Sequence, residues 1–129
     1  MRTKTRTLPL NHQLDVRVAF AGVQISRRPR PLHRVVFRMT MQNCGTESVR
    51  LLGRKWTLRE SNGSTRIVEA DKVFNQQPVL TPGAVFAHSG YQLFQTAPTE
   101  VEVQYFGTNS RNEPFITPAV AIPRKILRH

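Results

Sequence analysis

The stretch "RVVFRMTMQN", Arg34 to Asn43, decides the fold. Val35, Phe37, Met39 and Met41 at its odd positions are apolar, whereas Arg34, Arg38, Thr40 and Gln42 at even positions are polar. A period of two sends one set of side chains into a core and the other into water, as in a half-buried strand. The alternation recurs in "DVRVAF" with Val16, Val18 and Phe20, in "KWTLRE" with Trp56 and Leu58, in "STRIVEA" around Ile67, and in "EVEVQYF" with Val101, Val103 and Tyr105. Turn chemistry separates the segments: "NCGTES", "SNGS", "TPG" at 81–83 and "GTNSRNEP" at 107–114. Asn62-Gly63 is a hairpin signal. No stretch repeats apolar residues at helical spacing, and the 9 prolines are spread along the chain. An all-β fold is therefore expected, an antiparallel β-sandwich of about seven or eight strands, because strands apolar on one side must cover one another.

Prolines mark the limits of the sheets. Pro29 and Pro31 make "SRRPRPLHR", Ser26 to Arg34, read as an extended surface loop. Those in "PFITPAVAIPRKI" demote that segment to an edge strand or strands with a bend.

The 129 residues suit one domain, placed at 14–127 behind a basic flexible arm over 1–13. The arm lacks the apolar core of a secretion signal and the serines of a transit peptide. No apolar run approaches the ~18 residues of a membrane span. The single cysteine, Cys44, cannot form an internal disulfide, so a reducing, cytoplasmic setting without membrane association is expected. The net charge of +11 is unevenly placed. Residues 1–34 hold Arg2, Lys4, Arg6, Arg17, Arg27, Arg28, Arg30 and Arg34 against Asp15 alone, and Arg124, Lys125 and Arg128 close the chain. Between them, residues 35–123 are nearly neutral. Basic ends on a neutral body keep a protein soluble and give weak nonspecific contact with nucleic acid; Arg27, Arg28, Arg30 and Arg34 are the candidate polyanion contact.

Catalytic chemistry finds little to use. The four histidines, His12, His33, His88 and His129, stand apart, and read as loop or tail residues outside any nucleophile-and-base motif. Metal-ligand spacings such as Cys-x-x-Cys or His-x-His do not occur. Glu60, Glu69 and Asp71 read as the solvated face of a hairpin, and Phe20, Phe37, Trp56 and Tyr105 fall on faces needed for the core. No catalytic, cofactor-binding or metal residue is assigned, and a protein that is not an enzyme is expected.

The run from Arg34 to Tyr91 resembles the ApaG family, small bacterial proteins whose domain also occurs fused in eukaryotic F-box proteins and in a polymerase-delta-interacting protein. "LLGRKW", Leu51 to Trp56, is similar to that family's Leu-Leu-Ser-Arg-His-Trp. Asn62-Gly63, Gln77-Pro78, Leu80 with Pro82-Gly83, Phe86, Ser89-Gly90, Tyr105 and "VAIP" at 120–123 extend the match. The resemblance implies an immunoglobulin-like or fibronectin-type-III-like sandwich, a role in partner recognition, and an association with cobalt and magnesium handling that names no metal site here. The chain departs from the family at Lys55, which replaces a histidine, and at Thr99 and Val103, which replace glycines.

One further departure concerns "EADKVFNQQPVLTPG", Glu69 to Gly83, where the family often carries Gly-x-Gly-x-x-Gly. Ala70, Lys72 and Asn75 occupy those positions. A phosphate cradle needs glycines so that backbone N–H groups converge on the anion, so no ATP or GTP site is expected. Gln77 is expected to cap backbone groups of its own loop. Val73 and Phe74, an apolar pair on a polar loop, have the look of a small interaction site. Lys72, Val73, Phe74, Asn75 and Gln77 are accordingly the candidate contacts of a noncatalytic protein-binding module. An RNA- or DNA-binding accessory protein using the basic arms and the 26–34 loop is the alternative, homo-oligomers fit either reading, and a nucleotide or phosphate-ester enzyme is the least favoured.

Overall fold

A computed structural model describes residues 14–27, 29–30, 32–73 and 76–122. Two antiparallel sheets face each other. The first orders β1 (Leu14–Ser26), β2 (Leu32–Asn43) and β6 (Val85–Phe94) as β1-β2-β6. The second orders β4 (Thr65–Ala70), β3 (Val49–Glu60), β7 (Pro98–Thr108) and β8 (Pro114–Ile116) as β4-β3-β7-β8. Two short strands complete it: β5 (Val79–Leu80) pairs with β3, and β9 (Val120–Ile122) with β7. No helix occurs among the described residues. The expected all-β sandwich is the observed fold.

The period-two faces meet in the middle. Val35, Phe37, Met39 and Met41 of β2 are buried against Trp56 and Leu58 of β3 and Val101, Val103 and Tyr105 of β7. The Phe37 and Trp56 rings lie 5.2 Å apart across the sheets. A bulge between Phe20 and Gly22 shifts β1 by one residue, so that Val16, Val18 and Phe20 pair with Met41, Met39 and Phe37, and Val23 then pairs with Val35. Asn62-Gly63 turns β3 into β4, with Gly63 at φ 90°. Pro114–Ile122 splits into two short strands on β7, as its prolines predict.

Three expectations change. Residues Ser26 and Leu32–Arg34, expected in an extended loop, belong to the β1–β2 hairpin, because the alternation of β1 continues through Val23 to Ser26 and supplies ladder partners. Ile67 is 57% exposed; Val68, paired with Trp56, is the residue of β4 that packs on the core. A two-residue apolar run leaves the phase of a strand undetermined, and register with β3 settles it. Glu60 is buried rather than solvated: its Oε1 accepts from the Gln95 and Thr96 amides at 3.1 and 2.9 Å and from Thr96 Oγ1 at 3.0 Å. It pins the β6–β7 turn to the end of β3.

Candidate functional site

Of the loop residues singled out from sequence, Val73 does not serve as a contact. It is 0% exposed, because a bridge with Gln76 folds the loop back and tucks the isopropyl group into the core. Lys72 and Gln77 are exposed, and Phe74 and Asn75 lie outside the described residues. Gln77 Nε2 donates to the Asp71 carbonyl at 2.9 Å, the capping role expected of it. Among the basic candidates, Arg27, Arg30 and Arg34 are exposed, and Arg28 lies outside the described residues.

Tertiary structure gives Arg34 a setting that its neighbours in sequence do not share. Its pairing with Leu93 places it on the outer face of the β1-β2-β6 sheet, and its guanidinium sits 3.9 Å from the centroid of the Tyr91 ring. Tyr91 is 51% exposed and Leu93 40%. With Gln24, Ile25 and Leu32 they line a groove of about 350 Å³. Strand phase puts Arg17 and Arg38 on this same outer face, where the one carboxylate, Asp15, pairs with Arg17 at 2.9 Å. The opposite outer face mixes Lys55 and Arg59 with Glu69, Glu100 and Glu102, and Arg59 pairs with Glu100 at 2.8 Å.

A second feature lies between the sheets. Arg54 pairs with Tyr105 on β7 and Ala70 on β4, so its stem starts from the inner face of β3. Its Nη1 donates to the Lys72 carbonyl at 3.2 Å, tying the 71–77 loop to the mouth of the sandwich. Arg54, Trp56, Met39, His88 and the Gly90–Gln92 edge of β6 enclose a cavity of about 40 Å³. Trp56 Nε1 is buried without an acceptor. His88 is buried on β6, 3.5 Å from the Tyr105 hydroxyl. Burial, and after it the Arg54 charge, hold the imidazole down to about 4, so it is neutral near pH 7. Burial pushes the Tyr105 phenol up, against the pull of Arg54.

The expectation that the histidines sit in loops and tails fails for His33 and His88, which lie in β2 and β6; His12 and His129 are outside the described residues. The signal for His88 was its phase: Phe86, His88, Gly90, Gln92 and Phe94 form the inward set of β6. Sequence reasoning also missed the Tyr91 groove, since its residues come from three strands. Among the described residues no three His, Cys, Asp or Glu side chains gather as a metal site.

Comparison with known proteins agrees with this architecture. The family model of the ApaG domain matches residues 26–107. This chain belongs to the ApaG family. Protein ApaG of Methylococcus capsulatus is 29% identical over 119 residues, covering 87% of this chain and 94% of its own. Protein ApaG of Pectobacterium carotovorum is 30% identical over 87 residues, 67% of each chain. Two solved structures share the fold at 18% identity: the structural-genomics target SoR45, with a TM-score of 0.72 over 88% of this chain and 89% of that one, and an ApaA protein of Bordetella pertussis, with 0.70 over 84% and 91%. The ApaG-like run Leu51–Trp56 is the one that carries Arg54 and Trp56 into the crevice, while Lys55, the departure from the family, points to the other side of β3.

Proposed function

We propose that this ApaG-family chain is a noncatalytic module that recognises a protein partner in the cytoplasm, and that its contact surface is the outer face of the β1-β2-β6 sheet around Tyr91. The groove carries this reading: Tyr91, Leu93 and Ile25 are exposed apolar side chains gathered at one end of a sheet, beside an arginine stacked on the tyrosine. Tyr and Arg over a concave apolar floor are the residue types that dominate binding energy at protein interfaces. The family's association with cobalt and magnesium handling then reflects the partner recognised, and the exposed loop residues Lys72 and Gln77 are further candidate contacts.

A nucleic-acid reading has its own observation, the three arginines against one aspartate on this same face. Capture of partners on the immobilised protein, with nuclease treatment, separates the two. Partner proteins should survive nuclease and be lost on Tyr91→Ser with Leu93→Ser. Loss on nuclease treatment and on Arg34→Gln with Arg38→Gln, with no effect of the Tyr91 change, would replace the protein module by the nucleic-acid one.

A further inference from the structure

The crevice beneath Tyr91 combines a cation, a buried donor and no anion. Arg54 starts from an inner, core-facing position of β3, and its side chain is half-buried. Inward-facing charges ordinarily meet an opposite charge, because desolvation penalises a lone one. Among the described residues no carboxylate lies within ion-pair distance of Arg54; its hydrogen bond goes to one backbone carbonyl, that of Lys72. A guanidinium carries five N–H donors in a planar fork suited to a carboxylate. Trp56 lines the same cavity, is 2% exposed, and has an indole N–H without an acceptor. Leaving such a donor buried and unmatched is unfavourable, so a group that accepts from it is stabilised there. The cavity of about 40 Å³ exceeds the ~10–15 Å³ that admits one water, so it takes a group of a few heavy atoms.

We propose that this crevice is a carboxylate-binding site, in which Arg54 pairs with the carboxylate and the Trp56 indole N–H donates to it. The size of the cavity suits the head of an acetate, or of a glutamate or aspartate side chain. Access runs past Gly90–Gln92, where β6 is the edge of its sheet, so an extended acidic segment could lie along that edge and turn one carboxylate inward. Tyr91 lines both this crevice and the outer groove, so the two lie on either side of the same stretch of β6. The site therefore names an acidic chemistry for the partner and rests in that respect on the protein-recognition reading, although its own residues, Arg54 and Trp56, are separate from the groove.

Trp56 is the only tryptophan, so its indole N–H gives a single assignable signal in a nitrogen–proton correlation spectrum. Sodium acetate, a short end-blocked peptide carrying one glutamate, and the same peptide with glutamine are titrated against the full chain at constant ionic strength. Acetate and the glutamate peptide should move that signal saturably, and the glutamine peptide should not. Movement with acetate alone assigns the site to free small carboxylates, and tighter binding of the peptide assigns it to acidic segments. Arg54→Gln should weaken binding at least about tenfold, the scale of a lost charge-assisted hydrogen bond, while Arg54→Lys retains part of it. Dispersion of the remaining amide signals checks that each variant is folded. An indole signal indifferent to acetate and to the glutamate peptide in the wild-type chain overturns the site, whatever the variants do. Because the acetate titration needs no partner, the site can stand where the Tyr91 surface fails, and Leu93→Ser, which alters the groove at a residue that does not line the crevice, should leave it within about twofold.

Discussion

His88 shows at single-residue scale what an inward position costs a titratable group. Its imidazole takes up a proton near 6.5 when solvated, but burial and the neighbouring Arg54 lower that to about 4 in the folded chain. Between these values the unfolded chain binds more protons than the folded one, so His88 contributes stability that is complete above about pH 6.5. That contribution drains away as the pH falls through this window and is gone below about 4. Its size, after allowance for partial solvent screening, is on the order of 1–2 kcal/mol. Urea unfolding of the wild type and His88→Gln at pH 7 and pH 4.5 measures it: the wild type should lose more stability over the interval than the variant. Equal losses would mean that the imidazole titrates normally in the fold. At this scale sequence was a good guide to Trp56, Phe37 and Tyr105, whose bulk and phase leave only the core. It was a poor guide to Arg54, which sits in the inward phase of a strand but whose type suggests solvent.

Elements hold together here through the ladder between β3 and β7, which is interrupted by a register shift between Leu51 and Gly53. Gly107 stands opposite Leu51 at that shift, and a Cβ on it would collide with the Arg50 carbonyl. The obstacle is backbone, held in the sheet, so it cannot swing away as a flexible side chain would. Gly107→Ala should therefore destabilise the fold by more than about 2 kcal/mol, beyond the usual range for an alanine in a strand. Chemical denaturation of that variant, with Gly90→Ala as the comparison, tests this: at Gly90 the nearest atom to a new Cβ is the Met39 terminal methyl at 3.6 Å, an ordinary contact. Equal midpoints for the two variants would show that β3 and β7 can part locally without loss. Strand existence was legible because each strand carries its own alternation. Bulges and phase were not, because they are properties of a pair of strands.

Across the whole molecule, charge is sorted by face. The outer face of β1-β2-β6 carries Arg17, Arg34 and Arg38 with Asp15, and that of the other sheet mixes Lys55 and Arg59 with three glutamates. Together with the +11 of the full chain, this arrangement should attract polyanions weakly and without sequence preference if the nucleic-acid reading holds. Nonspecific RNA binding that engages about six phosphates should fall roughly a thousandfold between ~50 and ~200 mM salt. Protein capture through the Tyr91 groove, anchored by apolar contact, should persist over that range. Fluorescence anisotropy with a mixed-sequence RNA, beside partner capture at the same two salt concentrations, makes the comparison; RNA affinity that hardly changes with salt would point to a specific nucleic-acid site.

The chain by itself determined that this protein is a β-sandwich of ApaG type. Alternation, turn residues and the Leu51–Trp56 run are local signals, and hydrophobic burial translates each into a strand with a defined inner side. Only the tertiary structure decided which residues share a surface. The groove draws on β1, β2 and β6, and the crevice on β2, β3 and β6, so their members are distant along the chain and meet through register and sheet packing. Arg54 becomes a candidate ligand-binding group because β6 closes over it, a fact that depends on how two sheets stack and that no neighbour within the run "LLGRKW" encodes.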